Sequence, residues 1–148
     1  AEALLGTLGK DRFVAYSAGS HPSGRVQPLA AELAVKLGYP AKKLRSKSWD
    51  EYAVAGAPKM DFIITVCDNA AGEVCPIWPG HPIGAHWGVP DPAAVEGSEE
   101  QRRAAFRAAF ATLRRRVELL LALPIDKLDR LARERELRAI AADHAEDA

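Results

Sequence analysis

Two cysteines, Cys67 and Cys75, are the only thiols in the chain, and they flank the loop Asp68-Asn-Ala-Ala-Gly-Glu-Val74. Cys67 ends a short apolar run, Phe62-Ile-Ile-Thr-Val66, and Pro76 directly follows Cys75. Three readings suit such a pair. A reversible disulfide needs the two Cα atoms within about 7 Å. The seven intervening residues could span about 25 Å if extended, so the loop must fold back, and Gly72 helps it to do so. A metal site would combine thiolate and imidazole, with Cys75, His81 and His86 as the candidates and four residues between the histidines. Against zinc, the gap between the cysteines is wider than the usual ligand spacing, and Pro82 and Gly84 keep the histidines off a common helix. In the third reading Cys67 is a small buried hydrophobe without chemistry. The residues alone leave all three open. Asp91 stands between Pro90 and Pro92, whose rings fix the backbone on both sides and hold the carboxylate rigidly, as a general acid requires. The same pattern also serves as a plain turn or helix cap.

The elements that must position these groups are legible from periodicity. Residues 62–66 are too few for a helix and apolar or β-branched throughout, the pattern of a strand buried on both faces. Cys67 then sits at the C-terminal end of a strand, where open α/β sheets hold their ligands. Residues 12–17 read as a strand, followed by a turn at Ala18-Gly19. Leu4, Leu5 and Leu8 have helical spacing with Gly9 to close. A helix is predicted over residues 27–37 from Leu29, Leu33 and Leu37, with Pro28 at its start and Gly38 at its end. Ser48-Trp-Asp-Glu51 has the form of a capping box, opening a short helix that stops near Gly56. In the Pro- and Gly-rich stretch 69–96, residues 85–89 read as a last strand. Ser98 then caps a long helix to about Leu123 with Phe106, Phe110, Leu113, Val117 and Leu120 as its buried stripe. Arg102, Arg103, Arg107, Arg114 and Arg115 fall mostly off that stripe, as a solvated face rather than a phosphate patch. Residues 126–142 follow as a further helix, and the tail beyond should fray. Strands alternating with helices imply a parallel sheet with crossover helices.

Composition narrows the class. With 148 residues, the chain suits one domain with a real core. Lys plus Arg and Asp plus Glu number 20 each, so no global field draws nucleic acid or an anionic membrane. No apolar run approaches the ~20 residues that span a bilayer, and residues 1–8 lack the basic start and long apolar core of a secretion signal. Two cysteines do not make a secreted disulfide scaffold. The expected location is cytoplasmic, where a cysteine pair is more often redox-active or metal-binding than structural.

Tyr16-Ser-Ala-Gly19, Ile64-Thr-Val-Cys-Asp68, Cys75-Pro76 and His86-Trp-Gly-Val-Pro-Asp-Pro92 together resemble the arsenate reductases built on the low-molecular-weight tyrosine phosphatase fold. Ala1-Glu-Ala-Leu-Leu5 is similar to the helix after that family's phosphate-binding loop. The likeness runs to about Leu123, and residues 123–131 also resemble members of the group. It implies an α/β fold of three layers, a four-stranded parallel sheet with flanking helices, whose first strand is absent from these residues. It implies a single domain over 1–148 with a C-terminal helical extension from about 124.

The function implied is reduction of arsenate to arsenite. In that family a nucleophilic cysteine in a Cys-x5-Arg loop takes the oxyanion as a covalent adduct. A second cysteine, matched by Cys67, displaces arsenite and forms a disulfide. A third, matched by Cys75, takes the disulfide over and presents it to thioredoxin or a glutaredoxin-type reductant. Asp91 matches the general acid of the Asp-Pro loop. No organic cofactor is implied. Some relatives hold a potassium ion through residues matching Glu2, Ser17, Ser48 and Asp50. The expected partners are arsenate and the dithiol reductant, with no nucleic acid and no membrane.

The chain departs from the family at one point. Neither cysteine has an arginine six residues on, so no Cys-x5-Arg occurs. The first strand, the phosphate loop and the front of the first helix are expected to lie outside these residues, and the chain alone to be inactive. Two alternatives remain. A tyrosine phosphatase of the same fold needs the missing loop and Asp91 and gives Cys67 and Cys75 no role. A non-catalytic, zinc-binding module would carry about one zinc per chain, as the reading of Cys75, His81 and His86 as ligands allows.

Overall fold

A computed structural model describes residues 1–66, 78 and 80–142. Two strands, β1 (Phe62–Thr65) and β2 (Ile83–His86), pair in parallel with Phe62 opposite Ile83 and Thr65 opposite His86. Pairing continues past the formal strand ends. The Trp87 N–H donates to the Thr65 carbonyl at 2.7 Å and the Val89 N–H to the Val66 carbonyl at 3.0 Å. The last strand therefore starts two residues earlier than its apolar patch suggested, because Gly84 and His86 expose one face while Ile83 is buried.

Among the described residues four α-helices surround the pair: α1 (Glu2–Leu8), α2 (Pro28–Leu37), α3 (Glu99–Leu121) and α4 (Arg130–Ala141). Gly38 closes α2 at φ 107°, the left-handed conformation that glycine adopts without a Cβ penalty. Ser98 and Gln101 form a reciprocal capping box at the start of α3, with Gln101 Oε1 accepting from the Ser98 N–H at 2.8 Å. The main core is built on Leu4, Ile83, Trp87, Val117, Leu120, Ile125, Leu137 and Ile140, and a smaller cluster joins Ala3, Ala34 and Tyr39. The indole N–H of Trp87, buried in that core, donates to the Leu137 carbonyl at 2.9 Å, giving its polar end the partner that a buried tryptophan needs. Among the described residues no helix is long and apolar enough to cross a membrane.

Leu137 has no exposed surface. Leu137→Ala should therefore cost about 2–5 kcal/mol of stability through lost transfer energy and a residual cavity. Urea unfolding monitored by tryptophan fluorescence measures it, and a loss below about 1 kcal/mol would mean that α4 is loosely docked.

The structure corrects several expectations. Among the described residues two strands pair, where the resemblance implied four with the first of them outside these residues. Residues 12–17 do not form a strand. Arg12 lies in the turn after α1, and a ladder needs a hydrogen-bonding neighbour; among the described residues the isolated bridge beside this stretch joins Gly19 to Ser48. Ser48-Trp-Asp-Glu51 is not a capping box: Ser48 Oγ accepts from the Asp50 N–H at 3.1 Å and opens a 3-10 turn, Trp49–Tyr52. Glu51 is drawn away by a two-pronged pair with Arg45 at 2.7 and 2.9 Å. The helix predicted over 126–142 splits into a 3-10 turn, Ile125–Lys127, and α4, because Asp129 caps the Ala132 N–H at 2.8 Å.

Candidate functional site

Between residues 13–18 and β1 runs a trough. It comprises three cavities of about 360, 390 and 470 Å³ that share Ala1, Glu2 and Val66 in their walls. Phe13–Tyr16, Phe62 and Ile64 line the first, with Leu113, Val117 and Leu120 of α3 as its floor. On the opposite side Trp49, Tyr52 and Trp78 close it. These aromatics pack in pairs, Tyr16 against Tyr52 at 5.3 Å and Trp49 against Trp78 at 6.2 Å. Both edges of the trough offer free backbone. Among the described residues, no N–H or C=O of residues 14–18 takes part in a backbone hydrogen bond. On β1, Asp61 and Thr65 give their carbonyls to β2, which directs the backbone groups of the alternate residues Phe62 and Ile64 toward the trough.

Asp91 stands at one end of this trough, in the cavity also lined by Glu2, Ser17, Val66 and Val89. Its backbone is extended at φ −69° and ψ 109°, its side chain is exposed, and Oδ1 accepts from the Ala93 N–H at 2.9 Å. The strap leading into it is held from two sides. Val89 is tied to Val66, and Arg116 of α3 donates from Nη1 to the carbonyls of Trp87 at 2.7 Å and Gly88 at 3.1 Å. Arg116 is buried, with 8% of its surface exposed. Sequence reasoning passed over it as one of many arginines. The signal was positional: residue 116 lies three after Leu113 and four before Leu120, on the stripe itself.

Cys67 and Cys75 lie outside the described residues; Val66, at the mouth of the trough, is the last described residue before Cys67. The histidines considered for zinc are both exposed. His86 Nδ1 lies 2.6 Å from Thr65 Oγ1, and His81 takes φ 51°. Among the described residues no three His, Cys, Asp or Glu side chains are placed to hold a metal ion.

A second cluster forms where α1 begins. Glu2 accepts hydrogen bonds from the Ser17 hydroxyl and the Tyr39 phenol. Burial, reinforced by the bond to Glu2, pushes the Tyr39 phenol well above its ordinary range. The Lys47 ammonium lies 3.6 Å from Glu2 Oε1, 3.5 Å from Ser17 Oγ and 3.2 Å from the Arg45 carbonyl. Of the four residues expected around potassium, Glu2 and Ser17 therefore meet, while Ser48 caps the turn through the Asp50 N–H and the Asp50 side chain is exposed. Lys47 and Tyr39 were missed, since a lysine and a tyrosine in connecting segments read as surface.

Over residues 1–136 the chain matches the family described as low molecular weight phosphotyrosine protein phosphatase. Among curated proteins it is similar to an arsenate reductase of Halalkalibacterium halodurans, 32% identical over 108 residues, which cover 73% of this chain and 74% of that one. It is 33% identical to an arsenate reductase of Bacillus subtilis over 97 residues, 66% of each chain. An arsenate reductase of Staphylococcus xylosus is 36% identical over 95 residues, 64% of this chain and 68% of the relative. The chain thus spans between 66% and 74% of the lengths of these relatives.

Proposed function

Since the chain belongs to the low molecular weight phosphotyrosine protein phosphatase family, we propose that it works as the redox part of an arsenate reductase, reducing arsenate to arsenite at the expense of a dithiol. The similarity to arsenate reductases over about two thirds or more of the chain carries this reading. The trough supports it by bringing Asp91 and Val66, the neighbour of Cys67, to one cavity.

The electron balance is that of two thiols against one As(V). A cysteine supplied from outside these residues attacks arsenic, and Asp91 protonates the departing oxygen, which leaves as water. The Cys67 thiolate then attacks that sulfur. The S–As bond breaks with its electron pair passing to arsenic, arsenite leaves as As(III), and a disulfide remains. Cys75 attacks Cys67 in turn, freeing the first cysteine and leaving a Cys67–Cys75 disulfide. A cytoplasmic thioredoxin or glutaredoxin-type dithiol reduces it.

The direct test is oxidative. Mild oxidation should lower the mass of the chain by two protons and protect both thiols from alkylation, and thioredoxin should reverse both changes. If Cys67 and Cys75 remain free and unreactive, the relay reading fails. The phosphatase alternative, favoured by the family description itself, gives neither cysteine a role. With a Cys-x5-Arg segment supplied, Cys67→Ser would then leave hydrolysis of an aryl phosphate unchanged, whereas the proposed reading expects arsenite release to stop.

A further inference from the structure

We propose that the Lys47 ammonium is the resident cation of the Glu2–Ser17 cluster, and that this chain takes no potassium ion there. The donor set is the kind a hard monovalent cation would choose: one carboxylate, one hydroxyl and one backbone carbonyl, all oxygen. Those three oxygens come from α1, from residues 13–18 and from the segment before the 3-10 turn. An ammonium carries three donors and no acceptor, and each of the three oxygens lies within 3.6 Å of Lys47 Nζ. The side chain of Lys47 is 4% exposed and that of Glu2 is 10%. Charges so enclosed persist only when paired.

Charge counting excludes a second cation. Among the described residues Glu2 is the carboxylate at the centre, and it already faces Lys47 while accepting from Ser17 and Tyr39; Glu51, which the Lys47 charge also reaches, is paired with Arg45. Asp50, the other carboxylate that a potassium site would use, is exposed. A potassium ion entering beside Lys47 would set two positive charges against one negative charge at low dielectric. The tethered ammonium therefore ties the three segments together whatever the ionic medium. A dissociable ion would make that junction depend on the potassium concentration.

The test compares thermal melting in potassium and sodium chloride at equal ionic strength, together with thallium(I) binding followed by thallium NMR. The wild-type protein should melt at the same temperature in both salts and bind no thallium at this site. Lys47→Ala vacates the position and should melt lower in sodium than the wild type. It should recover several degrees in potassium only, and bind one thallium ion per chain. Lys47→Met fills the space without charge, so it should lose stability equally in both salts. Potassium-selective stabilisation of the wild type overturns the proposal, as does a folded Lys47→Ala that ignores potassium. Should Lys47→Ala not fold in either salt, Lys47→Gln takes its place under the same criteria. None of these readouts depends on arsenate turnover, so failure here is distinguishable from failure of the reductase reading.

Discussion

With a Cys-x5-Arg segment supplied, Asp91→Asn should lower the rate of arsenite release about 10²–10⁴-fold, the usual contribution of a positioned general acid. The substitution separates two roles that the position can play. As a cap, Asp91 accepts the Ala93 N–H through Oδ1. Asparagine can accept the same bond and is an equally good cap, so the 3-10 turn Pro92–Ala94 should persist. As an acid it must deliver a proton, which the amide cannot do. The anchors of the strap, Val89 to Val66 and Arg116 to the Trp87 and Gly88 carbonyls, do not involve the Asp91 side chain. Cys67–Cys75 disulfide exchange should therefore run at the wild-type rate in the same variant, measured by mass spectrometry after oxidation. An unchanged rate of arsenite release in the assay with excess reductant would return Asp91 to the status of a turn residue.

The second large effect concerns the trough. The 148-residue chain assayed alone should show no arsenate turnover and should self-associate. Adding a peptide that carries an apolar strand followed by a Cys-x5-Arg loop should restore both monomeric behaviour and activity. The trough is shaped for such an addition. Its edges at residues 14–18 and at Phe62 and Ile64 offer backbone groups that pair with no other described backbone, and Val14 is 78% exposed. Unpaired edges of this kind template association with other chains, and an added strand gains main-chain hydrogen bonds along with side-chain pockets on both faces. The loop following the strand would then end at the start of α1, near Glu2 and Asp91, with its backbone N–H groups available for an oxyanion. Size-exclusion chromatography and an arsenite assay with excess thioredoxin follow the two effects together. A well-folded monomer with full turnover and no peptide would refute the assignment of the nucleophile to a separate segment.

What could be read from the residues tracks the range of the interactions that build each element. α2 and α3 were legible because their apolar stripes and caps are local, repeating every three or four residues. β1 was legible as a run of apolar residues between breakers. The strand expected over 12–17 was not obtained, since its formation depends on what lies beside it and no local pattern carries that information. Buried charges were the other blind spot. Arg116 and Lys47 both sit inside, held by carbonyls and a carboxylate from distant segments, and charged residue types predict the opposite. Of the site, Asp91 was named through the family likeness as a general acid, and Glu2 and Ser17 as potassium ligands; Asp91 lines the trough and Ser17 donates to Glu2. Tyr39, Lys47 and Arg116 were found only in three dimensions.

The bond from the Trp87 indole to the Leu137 carbonyl also bears on the order in which the protein can be made. Chains emerge N-terminus first at roughly 5–20 residues per second, so β1, β2 and α3 exist for some seconds before α4 does. During that interval Trp87 and the core face of β2 lack their cover, and the indole N–H lacks its acceptor. The nascent domain is thus held open until α4 appears. Chains cut short or clipped before α4 would keep that apolar face exposed, giving chaperones and proteases a physical mark by which to tell unfinished copies from finished ones.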